Sequence, residues 1–299
     1  MLVLKTKYQK LSRVVFAPDR RGLAAAGQHG AYYWRSVFDD PKAARFGARA
    51  CDGLGFTPDG AHLVAALAPA DLLAIRLADE SQHTAEMSLA NMALAVCPAT
   101  GLAVVQRWSG GEMSGWHVGP DGTPARVWAV RAEPASIGAA VAFAPDGSWF
   151  VRATRDSASR LDLYRLARHD PATGKEVGAS PGDSWVSAGP AVSPDGKWIA
   201  YANGNRLRVQ SVSRPRRREE SFNENTHQYT DLAFHPTGRL LAVTNNDATV
   251  KLYDTATWEV ARTFTWEIGR MRSVAFSPDG TLAAAGSDTG KVVVWDVDL

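Results

Sequence analysis

Short apolar runs of about five to seven residues, each closed by turn-forming residues, recur from one end of the chain to the other. The last unit shows the pattern most plainly: "RSVAF", the turn "SPDG", "TLAAAG", the turn "SDTG", then "KVVVWDV". Runs of this length rich in Val, Phe, Trp and Tyr and bounded by Gly, Pro, Asp and Ser predict strands joined by hairpins. Pro presets φ for the reversal, Asp bonds its own downstream backbone and Gly accepts a positive φ, so "VAFSPDG" (Val274 to Gly280) marks a hairpin. The same phrase, more or less altered, appears as "VVFAPDRRG", "GFTPDG", "AVCPATG", "AFAPDG", "AVSPDG" and "AFHPTG". The prolines are Pro18, Pro58, Pro98, Pro145, Pro194, Pro236 and Pro278, with spacings of 40, 40, 47, 49, 42 and 42 residues. Seven such units occupy all 299 residues as one domain, 1–299.

Several of these strands do not alternate apolar with polar. "LAAAG" at Leu23 to Gly27 and again at Leu282 to Gly286, and "VVVW" at Val292 to Trp295, are continuous apolar runs. A sheet with one wet face would alternate; a sheet covered on both faces does not. Four-stranded sheets stacked radially meet that requirement, each covering its neighbours. The alanines are helix formers, but each run meets a turn after five residues, too soon for a stable helix.

From Asp231 to Phe264 ("DLAFHPTGRLLAVTNNDATVKLYDTATWEVARTF") and from Arg272 to Val297 ("RSVAFSPDGTLAAAGSDTGKVVVWDV"), the chain resembles the WD-repeat β-propeller family. The resemblance extends in weaker form over essentially the whole length. It implies an all-β, seven-bladed β-propeller of four-stranded antiparallel blades, with a period of about 40–45 residues. Trp295-Asp296 spells the family's dipeptide and Tyr253-Asp254 is a close variant, whereas Trp34-Arg35 and Tyr164-Arg165 lack the acid. Trp266 and Glu267 stand where the family has its Gly-His pair. Stability is therefore expected to rest on apolar stacking rather than on a His-linked network. The last unit stops at its third strand, and "LVLKTKY" (Leu2 to Tyr8) has no inner partner of its own. Placing Leu2 to Tyr8 outside Val292 to Val297 closes the ring, in the manner of the family's clasp.

Charge adds little to this picture. There are 33 Lys plus Arg against 31 Asp plus Glu, a formal charge of +2, without the basic excess of a dedicated nucleic-acid binder. Cys51 and Cys97 are the only cysteines, which fits a reducing compartment. "MLVLKTKYQK" lacks the form of a signal peptide, and "NMALAVCPATGLAVV" is broken by Pro98 and Gly101, so a cytoplasmic protein is expected.

Candidate chemistry is sparse. Asp19, Asp59, Asp146, Asp195 and Asp279 fall one per unit inside turns, where the turn itself accounts for them. "GSDTGKV" has three residues between its glycines instead of four, Val292 where a phosphate loop needs Ser or Thr, and no following helix. The seven histidines show no metal-ligand spacing, and no nucleophile elbow appears. No catalytic residue, metal or cofactor is expected.

Two groups are candidates for binding. The turns between second and third strands and the loops leading into the inner strands share one face, which is the usual partner surface in the family. Aromatic and Arg residues there are natural anchors, and Trp108, Arg155, Trp185, Tyr229, Trp266 and Arg270 meet that description. "SRPRRREE" carries Arg214, Arg216, Arg217 and Arg218, a possible contact for an anionic partner that Glu219 and Glu220 partly cancel. The expected function is a non-enzymatic, monomeric scaffold binding a protein or peptide. The alternatives are an enzyme or small-ligand binder using the central channel, and anion or nucleic-acid binding at the arginine loop.

Overall fold

In a computed structural model, residues 1–7, 10–87, 92–107, 111–132, 141–156, 163–181, 183–216, 218–222 and 226–298 are described. Their strands form seven four-stranded antiparallel sheets arranged as the blades of a propeller. Blades 1 to 6 each use four consecutive strands, with inner strands at Leu11–Phe16, Cys51–Phe56, Met92–Val96, Val141–Phe143, Ala188–Val192 and Tyr229–Phe234. Blade 7 takes Met271–Phe276, Leu282–Ser287 and Lys291–Asp296 from the C-terminal end and its outer strand, Leu2–Lys5, from the N-terminal end.

Burial follows position in the blade. The second strands Leu23–Gly27 and His62–Leu67 are buried along their whole length, while the outer strand Val260–Thr265 is almost wholly exposed. Apolar side chains on the two faces of each blade meet those of its neighbours, giving seven apolar clusters, one at each interface between blades. Trp149 and Trp198 pack between blades 4 and 5 and between blades 5 and 6. Trp295 is buried between blades 6 and 7.

Trp266, at the place of the missing Gly-His pair, packs against Trp295 with ring centroids 4.7 Å apart and stacks on Phe264 at 5.4 Å. Trp295 Nε1 is buried and has no hydrogen-bond partner among the described residues. At the place of the missing pair the contact is therefore aromatic.

The closing strand is shorter than the sequence suggests. Leu2 pairs with Val294 and Lys5 with Lys291. Beyond it, the Thr6 N–H donates to Gly290 O at 2.9 Å and the Lys10 N–H to Asp288 O at 3.0 Å, while Tyr8 lies outside the described residues. Leu4, 1% exposed, inserts among Leu11, Val14, Trp34, Val292 and Val294 and so touches both blade 7 and blade 1.

The recurrent turn has one construction in five of its seven occurrences. Asp19, Asp59, Asp146, Asp195 and Asp279 each accept the backbone N–H two residues on, at 2.9 to 3.2 Å. Gly280 follows with φ 77°, and a Cβ there would also run into the His235 ring, so both conformation and space require glycine. The Thr57 hydroxyl and the Ala61 N–H hold the Asp59 carboxyl below its ordinary value; Ser277 and Thr281 do the same for Asp279, and Ser148 for Asp146. No helix among the described residues is long and apolar enough to cross a membrane.

Two outcomes follow from this architecture. Deleting residues 1–5 removes Leu4 from the seam and uncovers the Lys291–Asp296 edge. Melting is expected to fall by roughly 10 °C or more, measured by calorimetry, with Met1→Ala as an unchanged control. The depressed turn carboxylates contribute stability that is complete above the ordinary carboxylate pKa and is lost as pH falls through their lower folded values. Urea midpoints should therefore drop between about pH 4 and pH 2, less steeply in a variant carrying Asp59→Asn and Asp279→Asn.

Candidate functional site

Each inner strand starts on one face of the ring and ends at its Pro-containing turn on the other. The starting face also carries the turns between second and third strands. Two cavities occupy the axis. One, of about 490 Å³, is walled by small and apolar inner-strand residues such as Val15, Leu54, Ala95, Ala142, Ala191 and Ala233. The other, of about 390 Å³, lies towards the starting face, and its lining includes Arg13, Asp52, Trp185, Asp231, Asn246 and Arg272. Among the described residues no three His, Cys, Asp or Glu side chains are grouped to hold a metal ion.

The polar groups of the second cavity come from one register position. Arg13, Asp231 and Ser273 each lie three residues before the last residue of their inner strands, in blades 1, 6 and 7. Gly53 and Ala93 stand at that position in blades 2 and 3. Because blades 6, 7 and 1 are consecutive around the ring, the three polar side chains meet. Asp231 Oδ2 accepts from Ser273 Oγ at 2.7 Å and from the Val274 N–H at 3.1 Å. Ser273 Oγ accepts from the Val14 N–H at 3.1 Å, and Arg13 Nη1 lies 3.3 Å from Asp231 Oδ1. Asp231 is 5% exposed, so its charge is stabilised by these donors rather than by water. At the rim, Arg272 Nη1 donates to Asn246 Oδ1 at 3.2 Å and its Nη2 lies 3.7 Å from Asp288 Oδ2.

The sequence candidates divide. Trp185 lines the cavity and is 39% exposed, an unusual exposure for a tryptophan. Arg270 is exposed on the same face, its backbone N–H fixed by Asp288 Oδ1 at 3.0 Å. Arg155 is exposed at the end of the second strand of blade 4, away from the cavity lining. Trp266 is half-buried in the blade 7 aromatic cluster.

Tyr229 requires a correction as a surface anchor. Its residue is 1% exposed, and its hydroxyl meets that of Tyr253 at 2.6 Å, because the first residue of this inner strand points between blades 5 and 6. Trp108 and Arg217 lie outside the described residues. Arg214 and Arg216 are exposed in the turn between the third and outer strands of blade 5, hence on the opposite face from Trp185. Arg218 opens the outer strand Arg218–Phe222, paired with Gln210. Glu220 Oε2 accepts from Arg208 Nη1 at 2.8 Å, so the acid that follows the arginine run is itself paired.

Sequence reasoning missed Arg13, Asp52, Asp231, Asn246 and Arg272. A signal existed: aligning the inner strands on the Phe before the Pro turn exposes Arg13 and Asp231 as charges at a position held elsewhere by Gly, Ala or Ser. Removing the Asp231 carboxylate should leave the Ser273, Val274 and Arg13 donors unsatisfied. Asp231→Ala is expected to lower stability by about 2–4 kcal/mol in urea titrations, and Asp231→Asn by less.

Comparison with known proteins places this geometry. The WD domain, G-beta repeat family matches residues 218–254 and 259–296. An uncharacterized WD repeat-containing protein of Synechocystis sp. is 29% identical over 144 residues, 48% of this chain and 39% of that protein. A target of rapamycin complex subunit of Schizosaccharomyces pombe is 26% identical over 107 residues, 36% of this chain and 34% of that protein. The matches thus span well under half the length of both relatives. Among solved structures, Kuenenia stuttgartiensis hydrazine synthase superposes with a TM-score of 0.81 at 15% identity, covering 98% of this chain and 97% of that one. The Cps50 (Swd1) β-propeller domain of Myceliophteria thermophila gives 0.79 at 13% identity, covering 99% of both. At these identities the structural likeness concerns the fold alone. With seven closed four-stranded blades the chain is a β-propeller, and its last two blades match the WD domain, G-beta repeat.

Proposed function

We propose that the face bearing Trp185 binds another protein, through a peptide-like segment that enters the mouth of the axial cavity. The observation that carries this reading is Trp185 itself, 39% exposed at the rim of a 390 Å³ concavity that also presents Asp52 and Arg272. A large aromatic group beside charges of both signs suits a partner that offers an apolar anchor and polar flanks. The name of the fission-yeast relative, a complex subunit, agrees with a role in assembly. The larger axial cavity is walled mostly by small and apolar residues, and the Asp231 carboxylate of the smaller one is buried and held by Ser273, Val274 and Arg13. Burial, with Asp52 nearby, pushes the Cys51 thiol up to about 12, which leaves it a poor nucleophile. The reading is of a non-enzymatic scaffold acting as a monomer in the cytoplasm, where two buried free cysteines suit reducing conditions.

The test uses tagged protein to capture partners from lysate, with quantitative mass spectrometry. Trp185→Ala combined with Arg270→Ala should leave melting unchanged and reduce the enrichment of the captured protein by about tenfold. Arg214→Ala with Arg216→Ala, on the opposite face, should not alter it. Loss with the second pair and not the first would transfer the function to the arginine turn, and a steep salt dependence would then identify an anionic partner.

A further inference from the structure

On the face opposite Trp185, the turns of blades 5 and 6 enclose a cavity of about 160 Å³. Its walls are aromatic: Trp198 comes from blade 5, Phe234 and Trp258 from blade 6. The Trp198 and Trp258 ring centroids are 6.1 Å apart and their planes meet at 68°. A group lying in the corner between two rings set so steeply meets π density from two directions, and Phe234 supplies a third ring. Trp258 is held there by an unfavourable backbone. Its φ is 60°, the left-handed region that a bulky side chain rarely enters. The Trp258 N–H donates to Asp254 O at 2.7 Å and the Asp254 N–H to Glu259 O at 2.9 Å. Asp170, Gly174 and Lys175 make the same pair of bonds in blade 4, so blade 6 puts an indole where this turn suits glycine. The indole stays half-buried, so the strain presents it to the cavity rather than sealing it in the core.

The polar groups of the lining act as acceptors. Ser193 Oγ donates to Asp195 Oδ1 at 2.6 Å, and Thr255 Oγ1 donates to Gly238 O at 2.6 Å. His235 Nε2 lies 2.9 Å from Gly280 O, which makes it the protonated nitrogen; Nδ1 therefore accepts, and Thr237 Oγ1 donates to it at 2.8 Å. The hydroxyl protons of the described lining residues are thus turned towards protein acceptors. Asp195 is the one charged residue among them. Burial acts against its ionised form, but the Ser193 hydroxyl and the backbone N–H and ammonium of Lys197 hold its carboxyl below the ordinary value. Lys197 Nζ is 3.4 Å from Asp195 Oδ2 on a side chain 76% exposed, a pairing that water screens and that contributes little. Aromatic rings, committed hydroxyls and a single carboxylate make a space suited to a cation that brings no hydrogen-bond donors of its own.

We propose that the cavity between blades 5 and 6 is a binding site for a trimethylammonium group. The rings of Trp198, Trp258 and Phe234 attract the cation through their quadrupoles, and Asp195 at the entrance adds a full opposite charge. A bare ammonium would give up its hydration and find one carboxylate for its three N–H donors. A quaternary nitrogen has no donors to satisfy, and its methyl groups pack against the rings. The volume is roughly five waters' share of liquid, room for one such head group. The site lies across the ring from Trp185 and does not depend on what that face binds.

Titration calorimetry and tryptophan fluorescence of the full chain with tetramethylammonium chloride, against ammonium chloride at equal ionic strength, test the site. Saturable binding is expected for tetramethylammonium and not for ammonium. Trp258→Gly, which installs the blade 4 residue and relieves the left-handed φ, should keep the fold and weaken binding by about tenfold. Asp195→Asn keeps an acceptor for the Ser193 hydroxyl and should also weaken it by about tenfold, which keeps the test decisive if the Trp258 variant fails to fold. Lys197→Gln releases the carboxylate from its exposed partner and should strengthen binding by about threefold. Choline and a peptide carrying trimethyl-lysine, with its unmethylated form as control, then distinguish a small-molecule head group from a modified protein; tighter binding of either than of ammonium supports the site. No saturable binding of tetramethylammonium beyond that of ammonium, or undiminished binding in the Trp258 or the Asp195 variant, would overturn the proposal.

Discussion

Contact between neighbouring blades is the constraint on which this molecule depends. One four-stranded sheet, covered on neither face, would expose alanine-rich and valine-rich strands to water on both sides. Each interface buries one apolar cluster, and every blade needs two. A linear array would leave two faces uncovered, so the order of the ring must be completed by closure. The N-terminal strand achieves this by hydrogen bonding to Lys291–Asp296 while Leu4 reaches across to the cluster of blade 1.

The seam is reinforced on the inside as well. Arg13, Asp231 and Ser273 belong to the three blades that flank the junction of the two chain ends, and they are linked across it by buried, charge-assisted hydrogen bonds. Covalent continuity joins every pair of consecutive blades, Leu2–Lys5 of blade 7 running on into blade 1; the break lies inside blade 7, where Leu2–Lys5 and Lys291–Asp296 are joined by hydrogen bonds alone. The outer strand and the inner polar network act at opposite radii of that one junction. Polar groups in the same network also shape the axial cavity, so stability of the ring and the form of its mouth share residues.

Departures from the repeat are where the chemistry collects. In a repetitive apolar scaffold, a charge placed at a buried register position needs compensation from something specific. Asp231 finds it within the protein, from the neighbouring inner strands. Arg152 and His169 sit at one gap between blades 3 and 4, where Gln106, Thr154 and the Gly174 carbonyl are among the groups that bond them. Trp266 shows a third outcome, an aromatic residue that takes over a place by stacking on Trp295.

Much of the fold was legible in the chain itself, because turn chemistry and two-faced apolar runs are local signals. Seven Pro-containing reversals, the four-strand period and the unpaired "LVLKTKY" determine the blade number and the closure without reference to any contact. The binding surfaces were legible only in part. Trp185 and Arg270 belong to the expected face by position alone, but Tyr229 is equally aromatic and equally placed, and only packing against Tyr253 decides that its ring is internal. Asp231 and Arg13 stand 218 residues apart and become partners only when the ring brings blade 6 within reach of blade 1. Arg152 and His169 are individually ordinary, and it is the register between strands that puts them opposite one gap. Local sequence determines each blade because turns and strands form from near neighbours; the sites lie between blades, and those distances exist only after closure.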